Sequence, residues 1–521
     1  MEKTELIAQA KQFYNEAEIA RLKTAIEFAI NKHHGQVRKS GEEYIRHPLK
    51  VASFLVEWGM DIDSVIAGVL HDTVEDTETT LEEIENNFGE TVSFLVDGVT
   101  KVGRARAGMS HLESYLPQTK DNLSKLLIAV GQDVRVVIIK LADRLHNMQT
   151  LQHMSPEKQQ KIARESLDVF APIADRLGMG RIRMQIEELS FSYLEPEEFK
   201  RLQNEMRKRL GKSTRRLGRV RQAVETELNK AGIEFEISGR VKSIYSLHKK
   251  LKKYGGDIDQ VYDLMALRII VENKDDCYRV LGILHSIYLP MVARIKDYIS
   301  LPKPNGYRSL HTTVITPSKL IAEFQIRTRE MHEYAERGLA ASFHYHEQKS
   351  NKDYLNGKTS GKNINRKEVR GNGGLSNELQ WISQLQDVAQ RLREGEEISP
   401  DQLEIDIFGN RIFVYSPKGD IYNLPEGSLP LDFAYMVHSD IGKNTYAFKV
   451  NEKIHAFDKP LSEGDVVEVL TRKNSAPKID WLDLVKTSHA RSKVRAQLKK
   501  AGSFEPTTSA TAIKSRKSVG K

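Results

Sequence analysis

The sequence predicts a multidomain α and α/β chain in three parts: an all-helical N-terminal third, a mixed α/β middle and a small β-rich module towards the C-terminus. Three observations carry this. At 521 residues the chain is too long for one core, and such lengths divide into about three or four domains. Apolar residues recur at three- and four-residue spacing through the first third, then give way to runs rich in isoleucine and valine from Phe235 onward. Between Asp406 and Thr471 the runs are short and separated by turn signals, as in FVYSPKGDIYNLP and GDVVEVLT.

The helical third is clearest at Ala25 to Asn31, Pro48 to Trp58 and Leu123 to Met148. Pro48 suits a helix start, where its missing N–H is harmless. In the middle, EFEISGRVKS and LMALRIIVEN read as strands, with helical patterns around Ile244 to Leu251 and Cys277 to Ile287 between them. Residues 347–376, rich in Asn, Gly and Lys, read as a loop or linker, followed by a short helix from Glu378 to Arg393. The stretch from Asn474 to about Lys500 is basic and mostly helical, and the Ser/Thr/Lys-rich residues beyond Gly502 lack the composition of a folded segment. The expected boundaries are therefore 1–195, 196–346, a linker and helix at 347–402, 403–472, and a basic tail at 473–521.

Composition narrows the function classes. No apolar run reaches the length of a membrane span, and the charged N-terminus lacks the apolar core of a secretory signal. A single cysteine, Cys277, excludes an intramolecular disulfide framework and a thiolate-cluster metal site. A cytoplasmic protein is expected. The net charge of +8 fits acidic partners such as nucleotides, RNA or ribosomes, but the excess is modest for this length and decides nothing alone.

Ligand-type residues in the helical third fall inside apolar runs (VIAGVLHD, VVIIKLADRLHN), where unpaired charge is expensive. His71 and Asp72 are adjacent at a helix end, Asp143 and Asn147 share a helix face, and His47 begins another helix. Together His47, His71, Asp72 and Asp143 form a set of nitrogen and oxygen donors suited to manganese or a similar divalent ion. Such an ion activates water and polarises phosphoryl oxygens, leaving Glu75 and Asp76 to handle protons. Each piece also has a plain reading. His-Pro is commonly a helix start, the acidic run EDTETTLEE a solvated helix entry, and Asp143–Arg144 a surface pair.

The middle region places basic residues around its strands: Arg240, Lys242, Arg268, Lys296, Lys303 and Arg308. Asp263 precedes a strand and Glu323 lies within one, which suits magnesium held by few carboxylates plus substrate phosphates. Tyr307 follows the turn PKPNGY, where a projecting ring can stack on a base. The plain alternatives are a tight turn and an amphipathic basic helix (KSIYSLHKKLKKY). The residues alone reach a nucleotide-binding domain and no further. NGKTSGKN is not a phosphate-binding loop, because only three residues separate Gly357 from Gly361 and Asn follows Lys362.

The segments RKSGEEYIRHP, HDTVED and KLADRLHNM resemble the HD-type hydrolase domain of the RelA/SpoT homologue family, and residues 20–495 follow that family's order. The resemblance implies a divalent metal, Mn2+, on His47, His71, Asp72 and Asp143, a catalytic acidic pair at Glu75 and Asp76, and nucleotide contacts from Arg38, Lys39, Ser40, Asn147 and Thr150. The implied reaction removes the 3′-pyrophosphate of guanosine tetra- or pentaphosphate. The middle region is similar to the family's nucleotidyltransferase-like synthetase domain. There the resemblance implies Mg2+ on Asp263 and Glu323, with Glu323 activating the acceptor 3′-hydroxyl. It implies ATP contacts from Arg240, Lys242 and Arg268, a nucleotide contact from Lys296, and GDP or GTP held by Lys303, Asn305, Tyr307 and His311. Arg294-Ile295-Lys296-Asp297 is the RxKD form of bifunctional members. Residues 406–471 resemble a β-grasp-like TGS domain, which implies a regulatory contact with tRNA or the ribosome, with His438 as one candidate and a structural hydrogen bond as its alternative. The family's longer members continue beyond KTSHARSKVR, so either a naturally short form or a truncated one is expected.

The sequence departs from the family at Asp175, Ala293, Arg308 and Ser342–Phe343. None is an assigned ligand, and what they touch is the choice between GDP and GTP. Two rivals stand beside the bifunctional reading: a phosphohydrolase for other nucleotides with a silent second domain, and an RNA-binding regulator without catalysis. The joint presence of RIKD, PNGYRSLHTTV and EFQIRT opposes the first, and the complete donor set opposes the second.

Overall fold

A computed structural model of the chain describes residues 1–100, 129–130, 133–253, 255, 265–303, 305–340, 411–473 and 475–501. The linker 347–376, the helix expected at Glu378 to Arg393, Asp263 and Ser342–Phe343 lie outside these residues. The chain divides into two compact units, Met1–Gly395 and Glu396–Lys521. Among the described residues no helix is long and apolar enough to cross a membrane.

The first unit opens with helices α1 (Lys3–Ala10), α2 (Glu16–Lys32), α3 (Arg46–Trp58), α4 (Ile62–Leu70), α5 (Thr73–Asp76), α6 (Leu81–Phe88), α7 (Glu90–Val99) and α8 (Arg135–Gln149). Helix α4 is the centre of the bundle, with every residue from Ser64 to Leu70 buried, as expected of a helix that is apolar all round. It packs close to α3 because Gly68 leaves room; a Cβ there would lie 2.5 Å from Leu55 Cδ1.

The helix expected from Leu123 is described only from Arg135. Asp133 stands just before its first turn, its carboxylate accepting the Arg135 backbone N–H at 2.9 Å. The Arg135 guanidinium bonds both Asp133 oxygens, at 2.6–3.1 Å, and Asp61 Oδ1 at 3.0 Å. Asp61 is the N-cap of α4, accepting from the Ser64 amide. All three side chains are buried or nearly so. This bridge therefore ties the start of α8 to the start of α4.

Helix α9 (Pro156–Glu165) runs through a π-helical turn, Ser166–Phe170, into α10 (Ala171–Arg176). Pro172 has no N–H to complete an α-helical bond, and the chain widens by one residue just before it. Then come α11 (Gly180–Leu194) and the 35-residue α12 (Pro196–Lys230).

The α/β part comprises β1 (Phe235–Val241), α13 (Ile244–Lys253), β2 (Met265–Val271), α14 (Lys274–Ile287), β3 (Leu289–Pro290), β4 (Lys296–Asp297), β5 (Leu310–Ile315), β6 (Ile321–Thr328) and α15 (Arg329–Arg337). The sheet order is β1-β2-β6-β5-β3, with β4 also on β5; only β2–β6 is parallel among these pairs. Strand alternation sorts the sheet into two faces. Ile237, Leu267, Ile269, Phe324, Ile326, Leu310 and Val314 pack with Val220, Val224 and Leu228 of α12 and Val280 and Leu284 of α14. The opposite face carries Arg240, Arg268, Glu323, Gln325, Arg327 and His311.

A close junction joins this part to the helices. Leu339 N–H donates to the Leu177 carbonyl at 2.8 Å, and Gly338 has φ +59°. A Cβ at Gly338 would overlap the Leu177 carbonyl oxygen, 2.1 Å away, so no other residue fits without a backbone shift.

The second unit holds the hairpin β7 (Arg411–Tyr415) and β8 (Ile421–Pro425), α16 (Pro430–Val437), α17 (Ser439–Lys443), and a sheet of β9 (Thr445–Val450), β10 (Lys453–His455) and β11 (Val467–Thr471). Helices α18 (Trp481–Leu484) and α19 (Ser488–Lys500) follow. Buried Asp432 accepts from the Leu429, Lys486 and Thr487 amides and the Thr487 hydroxyl, locking α19 against α16. The basic stretch after Asn474 thus belongs to this unit's core through Val494 and Leu498.

Replacing Arg135 with alanine leaves Asp61 and Asp133 as buried carboxylates without their shared cation. The expected loss is about 3–5 kcal/mol of stability, read as a lower urea midpoint for the first unit's transition.

Candidate functional site

The first constellation forms where α3, α4 and α8 meet. His47 sits in the first turn of α3, His71 is the C-cap of α4, and Asp143 lies mid-helix in α8. Their ligand atoms all lie within 4.8 Å of one another. Asp72 Oδ2 completes the group, 3.4 Å from His47 Nε2 and 3.2 Å from His71 Nε2, while Asp143 Oδ1 is 3.3 and 3.8 Å from the same nitrogens. The four expected ligands are therefore brought together.

The donor set fits a divalent cation. His71 Nδ1–H donates to the Gly68 carbonyl at 2.9 Å, which aims Nε2 at the cluster, where a metal ion would take the place of a proton. That buried nitrogen has no hydrogen-bond partner among the described residues. Burial opposes charging His71, but Asp72 and Asp143 outweigh it and raise the ring to about 9. Burial likewise opposes ionising Asp143, yet Lys140 and the two histidines hold it well below the usual carboxylate range. Two nitrogens and two carboxylate oxygens in a buried site are hard-to-borderline donors for such an ion.

Three further residues surround this cluster that the sequence reading passed over. Lys140 Nζ donates to Asp143 Oδ2 at 2.8 Å. His146 stacks on His47, with ring centroids 4.9 Å apart, and its Nδ1 lies 2.6 Å from His47 Nδ1. Burial, with His47 and Arg38 nearby, pushes His146 down to about 3, so it stays neutral. Tyr44 places its hydroxyl 2.9 Å from Asp72 Oδ2 and 2.6 Å from Asp76 Oδ2. Spacing held a signal for two of them, since His146 is three residues from Asp143 and Tyr44 three from His47. A tyrosine or second histidine there reads equally well as core packing.

The acidic run is split by the fold. The helix does not persist from His71 to Asp76; α4 stops and the one-turn α5 carries Glu75 and Asp76, of which Asp76 is linked to Asp72 through the Tyr44 hydroxyl. Glu82 and Glu83 instead occupy the first turn of α6, behind the Thr80 N-cap, as the plain reading expected. Asp143 is a buried ligand-type group, while Arg144 pairs with Glu165 and lies over the Phe170 ring.

Of the expected nucleotide contacts, Arg38 donates to Asn147 Oδ1 at 2.8 Å, and Asn147 in turn donates to Asp143 Oδ1 at 2.5 Å. Lys39 and Ser40 stand on the turn of a short hairpin closed between Arg38 and Glu42, with Gly41 at φ +84°. Thr150 caps α8, its hydroxyl donating to the His146 carbonyl.

The second constellation is the polar sheet face. Lys296, His311, Gln325 and Arg268 lie side by side in one row across β4, β5, β6 and β2, and Glu323 is paired with Ala266 in the next row. Arg240 Nη1 donates to Gln325 Oε1 at 2.9 Å, and Gln325 Nε2 donates to Glu323 Oε1 at 3.1 Å. His311 Nδ1 is 3.7 Å from Glu323 Oε1, and its Nε2 is 2.9 Å from the Tyr307 hydroxyl. Lys303 Nζ lies over the rings of Tyr298 and Tyr307, at 4.8 and 5.2 Å.

Burial lowers the Lys303 ammonium, and burial plus Lys303, Arg240 and Lys296 take His311 down to about 3. A crowd of cations that resists further protonation is the electrostatic setting for a polyanion. Asn305 donates to Asp175 Oδ1 at 3.2 Å and its Oδ1 accepts from the Tyr307 amide. Lys242 lines a cavity of about 650 Å³ with Arg181, Glu188 and Arg207, and Met184, which meets Arg240, lines the same cavity. Asp263 lies outside the described residues. Within the RxKD string, Asp297 caps its own turn, accepting from Ile299, Ser300 and the Tyr278 hydroxyl. Gln325, Arg327 and Glu336, which join this cluster, were not singled out from the sequence. In the second unit, His438 caps α17, its Nδ1 accepting the Asp440 amide at 3.1 Å.

Three known protein regions match the chain: an HD domain over residues 25–180, a region found in RelA / SpoT proteins over 239–350, and a TGS domain over 412–471. A GTP pyrophosphokinase of Myxococcus xanthus is 42% identical over 488 residues, covering 94% of this chain and 61% of the relative. A guanosine-3′,5′-bis(diphosphate) 3′-pyrophosphohydrolase of Aquifex aeolicus is 42% identical over 482 residues, covering 92% and 64%. The bifunctional (p)ppGpp synthase/hydrolase SpoT of Escherichia coli is 37% identical over 484 residues, covering 93% and 65%. The chain thus spans about three fifths of the length of these relatives. Three matched regions in one order, with a likeness across more than nine tenths of the sequence, make this chain similar to RelA/SpoT proteins along nearly all of its length.

Proposed function

We propose that the chain is a bifunctional alarmone enzyme, hydrolysing guanosine tetra- and pentaphosphate at the helical site and making them at the sheet face. The observation that carries the reading is that one chain holds both a converged His47–His71–Asp72–Asp143 cluster and a cationic sheet face around Glu323. A hydrolase alone has no use for the second, and a binding protein has none for the first.

In hydrolysis, His47, His71, Asp72 and Asp143 hold the metal, assigned as Mn2+. When bound, that ion supplies a Lewis acid for phosphoryl oxygen and water of lowered pKa. Glu75 and Asp76 manage protons at the scissile 3′-phosphate, with Asp76 held in place by Tyr44. Arg38, Lys39 and Ser40 on the hairpin, with Asn147 and Thr150 on α8, hold the guanosine nucleotide. The neutral His146 ring keeps His47 in the tautomer that presents Nε2.

In synthesis, Arg240, Lys242 and Arg268 hold ATP, and Lys296, Lys303, Asn305, Tyr307 and His311 gather the acceptor GDP or GTP, Tyr307 against the guanine. Glu323 and Asp263 hold Mg2+, which offsets phosphate charge. The acceptor 3′-oxygen attacks the β-phosphorus of ATP, the bond to the α-phosphate oxygen breaks, AMP leaves, and Glu323 takes the hydroxyl proton. Alignment and charge neutralisation are the main contributions. The helices of residues 150–235 would couple the two sites so that one runs at a time, and the TGS domain would contact tRNA or the ribosome in the cytoplasm.

Nucleotide separation by ion exchange tests the two-site reading. With ATP, GDP and Mg2+, Glu323→Gln is expected to lower transfer by roughly 10²–10⁴-fold while leaving hydrolysis intact. With guanosine tetraphosphate and Mn2+, Asp143→Asn is expected to abolish hydrolysis and leave transfer. Loss of both reactions in either variant would refute separate sites. For the ring that orients His47, His146→Ala is expected to weaken Mn2+ binding by about 10–100-fold in equilibrium dialysis. Unchanged metal affinity would remove His146 from the site.

A further inference from the structure

Glu336 stands on the last turn of α15 and reaches back over the polar sheet face. Its Oε1 lies 3.3 Å from Arg268 Nη1 and 3.3 Å from Arg327 Nη2. Arg327 is only 2% exposed, and its Nη2 is also 2.7 Å from His332 Nδ1. The two arginines occupy neighbouring strands, Arg268 opposite Gln325 and Arg327 two residues further along β6. The Nε atoms of both are buried without a hydrogen-bond partner among the described residues. Burial lowers both guanidinium groups, Arg327 to about 10. Burying two arginines that share one carboxylate is a poor way to stabilise a fold, because desolvation outweighs a single shared bridge.

We infer that Glu336 is a positioning residue for the donor nucleotide: anchored from behind by Arg327 and His332, it fixes the Arg268 guanidinium that meets ATP. This rests on the reading of the sheet face as an ATP-dependent transfer site. Arg327 is too deep to touch a ligand and serves as the anchor. Arg268, 18% exposed at its side chain, is the end of the chain of contacts that a nucleotide can reach. An arginine side chain carries about 2 kcal/mol of rotamer entropy, and a carboxylate that restrains it beforehand removes part of that cost from binding.

The test is a double-mutant cycle, with calorimetric binding of a non-hydrolysable ATP analogue in Mg2+ and steady-state transfer measured on the full chain. Glu336→Ala is expected to weaken analogue binding and raise the KM for ATP roughly tenfold, the scale of one hydrogen bond to a charged group. The KM for GDP and the kcat at saturating ATP should stay within about threefold of wild type, since neither depends on Arg268 being held. Glu336→Ala combined with Arg268→Ala should bind no more weakly than Arg268→Ala alone. Glu336→Gln keeps an acceptor oxygen without the charge and is expected to be intermediate, about threefold weaker, which carries the test if the alanine variant does not fold.

A purely structural role would instead lower the thermal midpoint and worsen both nucleotides together. Unchanged analogue binding in both Glu336 variants, parallel loss for ATP and GDP, or additive losses in the double variant would each overturn the proposal. If wild type binds the analogue but transfers nothing to GDP, the transfer reading fails while the binding series still decides the role of Glu336.

Discussion

Everything distinctive in the N-terminal helices depends on the cost of burying charge. An apolar helix such as α4 gains stability by excluding water, and it ends in His71 and Asp72, two groups that water would otherwise solvate. The fold meets this by gathering the charges rather than dispersing them. Asp143 is offset by Lys140 and Asn147, His47 by His146, and Asp72 and Asp76 share the Tyr44 hydroxyl. Among the described residues only His71 Nε2 of this cluster is left without a hydrogen-bond partner, and a cation would complete it together with the carboxylate oxygens around it. The Arg135 bridge to Asp61 and Asp133 solves the same problem at the other end of α4 and α8, with the sole result that two ligand-bearing helices keep a fixed relation.

The sheet uses a different device. A strand's period of two puts a core and a polar face on opposite sides of one element, so the residues that hold α12 and α14 and those of the polar cluster alternate along β2 and β6. The core face therefore positions the polar face without sharing atoms with it. The polar side can be over-supplied with cations, a condition that a self-contained core would not tolerate. Neutral His311 among Lys303, Arg240 and Lys296 is the visible consequence.

The junction at Leu177–Gly178 and Gly338–Leu339 makes the helical and α/β parts one packed body rather than two beads. Backbone meets backbone there, which only glycine permits. Asp175 lies beside it and accepts from Asn305. It also accepts from Arg183, so one of the chain's departures from the family pattern sits at this junction.

Much of this was legible beforehand. Period and composition alone gave the helical third, the strands at Phe235–Val241 and Met265–Val271, and the small β module. The four ligand types stood out because charged residues inside apolar runs need a reason. Tyr44, His146 and Lys140 did not, since on a helix each reads equally as packing, pairing or solvated surface. Glu336 was invisible for a related cause: it belongs to α15, and its partners are on β2 and β6. Local sequence determined which segments are helix or strand and which faces are apolar, because those follow from backbone period and from neighbours three or four residues away. Only the tertiary structure decided which polar groups meet. Those contacts join residues tens of positions apart, and their geometry is set by how whole helices and strands pack.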